Sequence, residues 1–278
     1  MTTTIGGTSA HRHLYVANGV SLRRVVDSEW IKFRTLRSSW VTLGAAVLVM
    51  IGLGMVIGYY TGKDFAGVAP EDAAPSAPLQ GSIGAQLLIG ILGVLFVSGE
   101  YATGMIRSSL AAVPRRVLVL AAKAAVFGGI TLLAMVASSF GAFLAAQAFL
   151  GYYGHATSLT DPGVLRVVIG TGVYLTLIGL LGAALGWLLR STPGGITAFA
   201  GLILVLPGLL QVLPGTWGQA VAHYLPEQAG ESFTTSIRDE GSLEPWTGFG
   251  VLVLWVVVAM GAAVLVLRRR DASPALHV

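Results

Sequence analysis

A chain of 278 residues that is 54% apolar and only 11% charged cannot wet the exterior of one or two soluble domains, which normally hold about 25% charged residues. Part of its solvent must be lipid. The absence of cysteine excludes a disulfide framework and thiolate metal sites, and a net charge of only +4 gives no reason to expect a nucleic-acid partner.

Roughly the first 40 residues hold no long apolar run, so no secretory signal peptide is expected and the amino terminus should stay on the side of synthesis. Residues 1–21 read as a flexible cytoplasmic leader. From residue 22 to residue 40 the pattern changes. Leu22, Val26, Trp30, Phe33, Leu36 and Trp40 recur at spacings of three and four, which predicts one apolar helical stripe. Arg23, Arg24, Asp27, Lys32, Arg34 and Arg37 occupy the remainder. A basic, Trp-bearing amphipathic helix suits the inner headgroup surface of a bilayer. A helix packed against a soluble partner has the same signature.

Val41 to Tyr60 is the first run long enough to cross a hydrocarbon core, about 20 residues at 1.5 Å each. Thr61 to Gln80, with Pro70, Glu71, Asp72, Pro75 and Pro78, predicts an irregular outer loop. The second span, Ile83 to Val97, is short. Residues 98–116 then form an inner loop ending in Pro114-Arg115-Arg116. Ile106, Leu110 and Val113 would give it a small apolar face beside Arg107. Such a segment either docks in a cleft of a cytoplasmic partner or serves as an ordinary connector.

The apolar stretch Val117 to Leu150 would reach roughly 50 Å as one helix, past a ~30 Å core, yet it has no room for a turn. It is read as one helix whose first turns, Lys123 included, project into the cytoplasm. Val164 to Leu189, Gly195 to Leu213 and Trp246 to Leu267 complete the spans, with Pro207 and Gly208 expected to break or kink the fifth. Residues 214–245 form an outer segment, either an interfacial helix or a solvated loop, and residues 268–278 a cytoplasmic tail. With both termini inside, all of the 17 Lys and Arg except Lys63, Arg166 and Arg238 face the cytoplasm. Splitting the third stretch would put the Arg268-Arg269-Arg270 triplet outside. The expected fold is therefore all-α, a single transmembrane domain over residues 22–267 with six spans.

Chemistry-bearing patterns are scarce. The histidines lie near the termini or in outer loops, and HExxH is missing. The P-loop-like string Gly58 to Asp64 has the wrong glycine spacing and ends in Asp where Ser or Thr should meet magnesium. No catalytic, metal or cofactor site is expected in this chain. Glu100, Arg107, Lys123 and Arg190 sit at inner ends of spans, leaving the midplane to Gln86, Ser138, Ser139, Gln147 and Thr176, which disfavours an ion-coupled carrier. Gly54-x-x-x-Gly58 and Gly182-x-x-x-Gly186 would allow close helix approach, although 37 glycines make chance matches common.

Three stretches resemble the permease subunits of type-2 ATP-binding-cassette transporters, particularly actinobacterial ones. They are Ser28 to Trp40, with Glu29, Trp30, Lys32, Arg34 and Arg37; Gly99 to Arg116 with Lys123; and Tyr224-Leu225-Pro226 together with Arg268 to Ala272. The resemblance implies a half-transporter in the bacterial plasma membrane. A second permease chain, identical or related, would complete the pathway. A separate ATPase subunit beneath would hold the ATP and magnesium. Residues 22–40 would be the connecting helix. Glu100, Gly104, Ile106, Arg107, Leu110, Pro114, Arg115 and Arg116 would belong to the coupling helix that takes up ATPase motion. The outer segment would supply short helices closing the exit. The implied function is export of a hydrophobic or amphipathic compound such as an antibiotic, peptide or lipid. A membrane scaffold or sensor subunit recruiting a cytoplasmic partner is the alternative.

Overall fold

The computed structural model describes residues 22–67, 73–105, 116–212, 217–237 and 241–269. Among them every regular element is helical, and six helices are long and apolar enough to cross a membrane, so the chain is a multi-pass membrane protein. In chain order the elements are α1 (Leu22–Thr35), α2 (Arg37–Lys63), α3 (Ser82–Ala102) and α4 (Arg116–Tyr152). They continue with α5 (Val164–Leu189), α6 (Thr192–Ala200), α7 (Leu206–Val212), α8 (Trp217–Ala222), α9 (Pro226–Thr234) and α10 (Pro245–Arg269).

Several predicted limits move. The second span is not short: α3 has 21 residues, a 3-10 turn at Ala77–Leu79 leads into it, and Ser98 to Ala102 belong to the helix rather than to the inner loop. The amphipathic segment does not run on to residue 40. Leu36 adopts an extended conformation (φ −78°, ψ 103°), which ends α1, so that Ser38 to Trp40 form the first turn of the first span. The third stretch is one helix of 37 residues, as its length required.

The fifth span is α6 and α7 joined without a break. A π-helical segment, Gly201–Val205, lies just before Pro207, and the Leu206 amide donates to the Gly201 carbonyl. Proline has no amide hydrogen, and its ring crowds the carbonyl four residues earlier. The wider π turn absorbs that misfit locally. The turn from α5 to α6 needs only Arg190 and Ser191: Arg190 takes a left-handed conformation (φ 53°), and the Ser191 hydroxyl accepts from the Gly194 amide.

α3 and α5 form the centre of the bundle, with 61% and 67% of their apolar windows buried, against 22% for α10. Their crossing is lined by glycine. A β-carbon on Gly93 would run into the Gly179 carbonyl, and one on Gly182 into that of Gly90. The glycine pair on α2 works in the same way, since a β-carbon on Gly58 would lie 2.6 Å from the Ala146 α-carbon on α4. Without a hydrophobic drive between helices in lipid, such backbone approach supplies the packing. The core between these helices includes Met50, Ile89, Phe127, Met135, Phe143, Leu175 and Ile178.

Residues 214–245 include two short helices, α8 and α9, among the described residues. In α8, Ala222 packs with Leu225, Leu210 and Trp255, and the Trp255 indole donates to the Tyr224 carbonyl at 2.8 Å. α9 rests on α5 and α10, with Gly230 against the Tyr174 ring and Gly248 against Ser232.

Gly58→Ala should lower the thermal stability of the protein in lipid nanodiscs by about 1–3 kcal/mol, because the Ala146 backbone cannot yield as a side chain could. Gly52 has open space around it. Gly52→Ala should be neutral or stabilising by up to about 1 kcal/mol. Equal melting shifts for the two variants would contradict the packing described.

Candidate functional site: a buried charge cluster

Four charged side chains from three helices meet at the end of the bundle where α1 lies. On α1, Val25, Glu29 and Phe33 follow one another at spacings of four and are the buried residues. Of the apolar stripe, Phe33 and Val26 pack on the bundle, whereas Leu22, Trp30, Leu36 and Trp40 are exposed. The buried face includes a carboxylate because its partner, Lys123, lies across the interface on α4. Lys123 is not solvated: it is only 1% exposed, packed among α1, α3 and α4.

Lys123 Nζ lies 2.7 Å from Glu29 Oε2 and 2.9 Å from Glu100 Oε1, the latter at the close of α3. Lys32 Nζ completes the ring, 2.7 Å from Glu29 Oε1 and 2.9 Å from Glu100 Oε1. Two ammonium groups thus alternate with two carboxylates, and among the described residues the set is formally neutral. This neutrality decides whether the cluster can exist. A single charge buried there would cost several kcal/mol, whereas close pairs with hydrogen bonds return most of that cost.

Aromatic residues form the wall of the site. Lys123 Nζ sits 4.2 Å from the centre of the Phe96 ring and 3.5 Å from the Phe96 carbonyl. Phe33 packs edge-on against Phe96 and Trp40, and Phe96 stacks on Phe127. The rings keep water from Lys123 and add a cation–π attraction. Burial pulls the Lys32 ammonium down, but the hydrogen bonds and negative field of Glu29 and Glu100 more than reverse it, so its pKa lies above the ordinary lysine value. A raised lysine pKa means that the folded chain holds this proton more tightly than the unfolded one. The stabilisation is complete below the ordinary lysine pKa and is lost only as pH rises through the higher folded value.

Among the predicted connecting-helix residues, Glu29 and Lys32 enter the cluster. Trp30 is exposed, and Arg34 and Arg37 are also on the surface. Of the predicted coupling residues, Glu100 enters it, while Gly104 lies beyond α3 in a left-handed turn (φ 71°). Ile106, Arg107, Leu110, Pro114 and Arg115 lie outside the described residues, and Arg116 is described only in its backbone, as the first residue of α4. Sequence reasoning did not join Glu29 and Lys32 to Lys123. The available signal was an acidic residue midway between Val25 and Phe33, four positions from each, and a lone lysine inside an apolar helix.

Among the described residues no group of His, Cys, Asp and Glu could hold a metal ion. What the cluster can do is mechanical: it ties α1 to the ends of α3 and α4, the two helices that flank residues 103–115.

Removing one member should therefore cost more than removing a pair. Lys123→Ala should destabilise the protein by about 3–5 kcal/mol by leaving two buried carboxylates short of a cation. Combining Lys123→Met with Glu29→Gln should recover part of that loss, giving a coupling energy of about 1–3 kcal/mol in a double-mutant cycle read by thermal unfolding. Strict additivity would show that the two side chains do not meet.

Comparison with known proteins finds no matching family model and no matching curated protein.

Proposed function

We propose that this chain is the membrane-embedded permease subunit of an ATP-binding-cassette exporter. Its two-chain pathway would be driven by a separate ATPase docked at the end of the bundle that carries α1. That end would face the cytoplasm of a bacterial plasma membrane, with both termini inside. The observation that carries the reading is the charge cluster: it makes α1 and the flanks of the α3–α4 connection one mechanical unit. A force applied to residues 103–115 by a moving ATPase would be passed to α1 and into α3, which lies at the centre of the bundle. The charge distribution agrees with this orientation. Arg23, Arg34, Arg37, Arg190, Arg268 and Arg269 gather at the α1 end with Asp27 among them, whereas Asp64, Asp161, Glu227, Glu231 and Glu244 outnumber Lys63 and Arg166 at the other. The resemblance of Ser28 to Trp40 and of Gly99 to Arg116 to the connecting and coupling helices of type-2 permeases supports the same assignment. The transported compound would be hydrophobic or amphipathic.

The test is purification of the full chain through a carboxy-terminal tag from its native membrane. The expected result is co-purification of an ATPase bearing Walker motifs, lost in an Arg107→Glu, Arg115→Glu double variant that still folds. A folded chain that never retains such an ATPase and shows no ATP-dependent transport would overturn the reading. Recruitment of a soluble partner without nucleotide hydrolysis would favour a scaffold.

A further inference from the structure

At the end of the bundle remote from α1 lies a cavity of about 500 Å³, within the size range of small-molecule sites. Its walls come from the turn before α3, from α3 and α5, and from α9 and the residues just after it. A Ser76–Ser236 hydroxyl contact of 2.9 Å ties two of those walls together. Leu79, Ile83 and Ile237 supply apolar lining, and Glu227 and Glu231 supply carboxylates. No Lys, Arg or His is among the described residues that line it.

The polar wall is built from within. Tyr174, buried on α5, donates its hydroxyl to the Gln86 carbonyl oxygen on α3. The Gln86 amide in turn donates to Glu227 Oε1 at 2.8 Å. Gln86 is 1% exposed, so this relay holds the Glu227 carboxylate in a fixed position through two central helices. The Gln86 amide that donates to Glu227 carries no charge, and among the described residues lining the cavity there is no Lys, Arg or His beside this carboxylate. The nearby Arg166 guanidinium is engaged elsewhere, donating to the Phe233 and Thr235 carbonyls. Burial, only partly offset by the Gln86 hydrogen bond, holds the Glu227 carboxyl above its ordinary pKa.

We propose that this cavity binds an organic ammonium ion, its charged head against Glu227 and its apolar body along Leu79, Ile83 and Ile237. The site goes beyond the permease reading and does not depend on it, since binding can be measured on the isolated chain whether or not an ATPase is found.

The experiment titrates the full chain in nanodiscs with phenethylammonium, phenethyl alcohol and phenylpropionate, subtracting empty nanodiscs. The ammonium ion should bind best, and Glu227→Gln should weaken it by about tenfold or more, the loss expected for one charge-assisted hydrogen bond. Glu231→Gln should weaken it less, while the alcohol should be indifferent to both substitutions. Comparable binding of all three probes to the unaltered chain would overturn the proposal, as would an ammonium affinity unchanged in Glu227→Gln. Should Glu227→Gln fail to fold, the charge series on the unaltered chain still decides.

Discussion

Everything at the α1 end depends on one requirement: four charges taken out of water must neutralise one another within hydrogen-bonding distance. Glu29 and Lys32 lie one helical turn apart on α1, and Glu100 and Lys123 face them from α3 and α4. None of the four could be buried alone. The requirement sets the rotation of α1 about its axis, because only one orientation brings Glu29 to Lys123. It thereby leaves Trp30 on the exposed side of α1, free to meet the bilayer surface that its sequence pattern suggests. A buried ion network contributes little net stability, but it penalises every competing arrangement heavily. Its value here is register and rigidity at a junction of three helices.

The bundle beyond that junction obeys a different constraint. Lipid offers no hydrophobic drive for helix association, so packing must come from close approach of the helices. The glycines of α3 and α5 let two backbones meet, and Gly58 does the same for α2 against α4. Glycine weakens an isolated helix, but where the bilayer enforces hydrogen bonding that cost is small beside the packing it permits. The central pair α3 and α5 then connects the two ends of the molecule. α3 carries Glu100 at one end and Gln86 near the other, and α5 carries Tyr174 beside the far cavity.

Much of this was legible in the sequence, for identifiable reasons. A run of about 20 apolar residues has few alternatives to a spanning helix, so all six spans were found within a few residues. Val117 to Leu150 had no room for a turn and proved to be one helix. Boundaries were less visible. The break at Leu36 is a backbone event with no proline or glycine to announce it, and α3 outlasts its apolar core because Ser98 bonds Thr192 and Glu100 finds its lysines. The cluster itself was half legible. Glu29, Lys32, Glu100 and Lys123 were each singled out, but their meeting depends on three helices whose relative placement no local pattern encodes. Glu227 and Gln86 are separated by 141 positions, and their contact was illegible for the same reason.

Lysine accessibility tests the central claim most directly, because the chain contains only Lys32, Lys63 and Lys123. The folded chain in nanodiscs would be treated briefly with an amine-acylating reagent and the modified sites quantified by mass spectrometry. The buried cluster predicts rapid labelling of the exposed Lys63, slower labelling of Lys32, whose side chain is 20% exposed, and almost none of Lys123, whose side chain is 2% exposed. Glu29→Gln should open Lys123 to the reagent. Labelling of Lys123 in the unaltered chain at the rate of Lys63 would contradict the account.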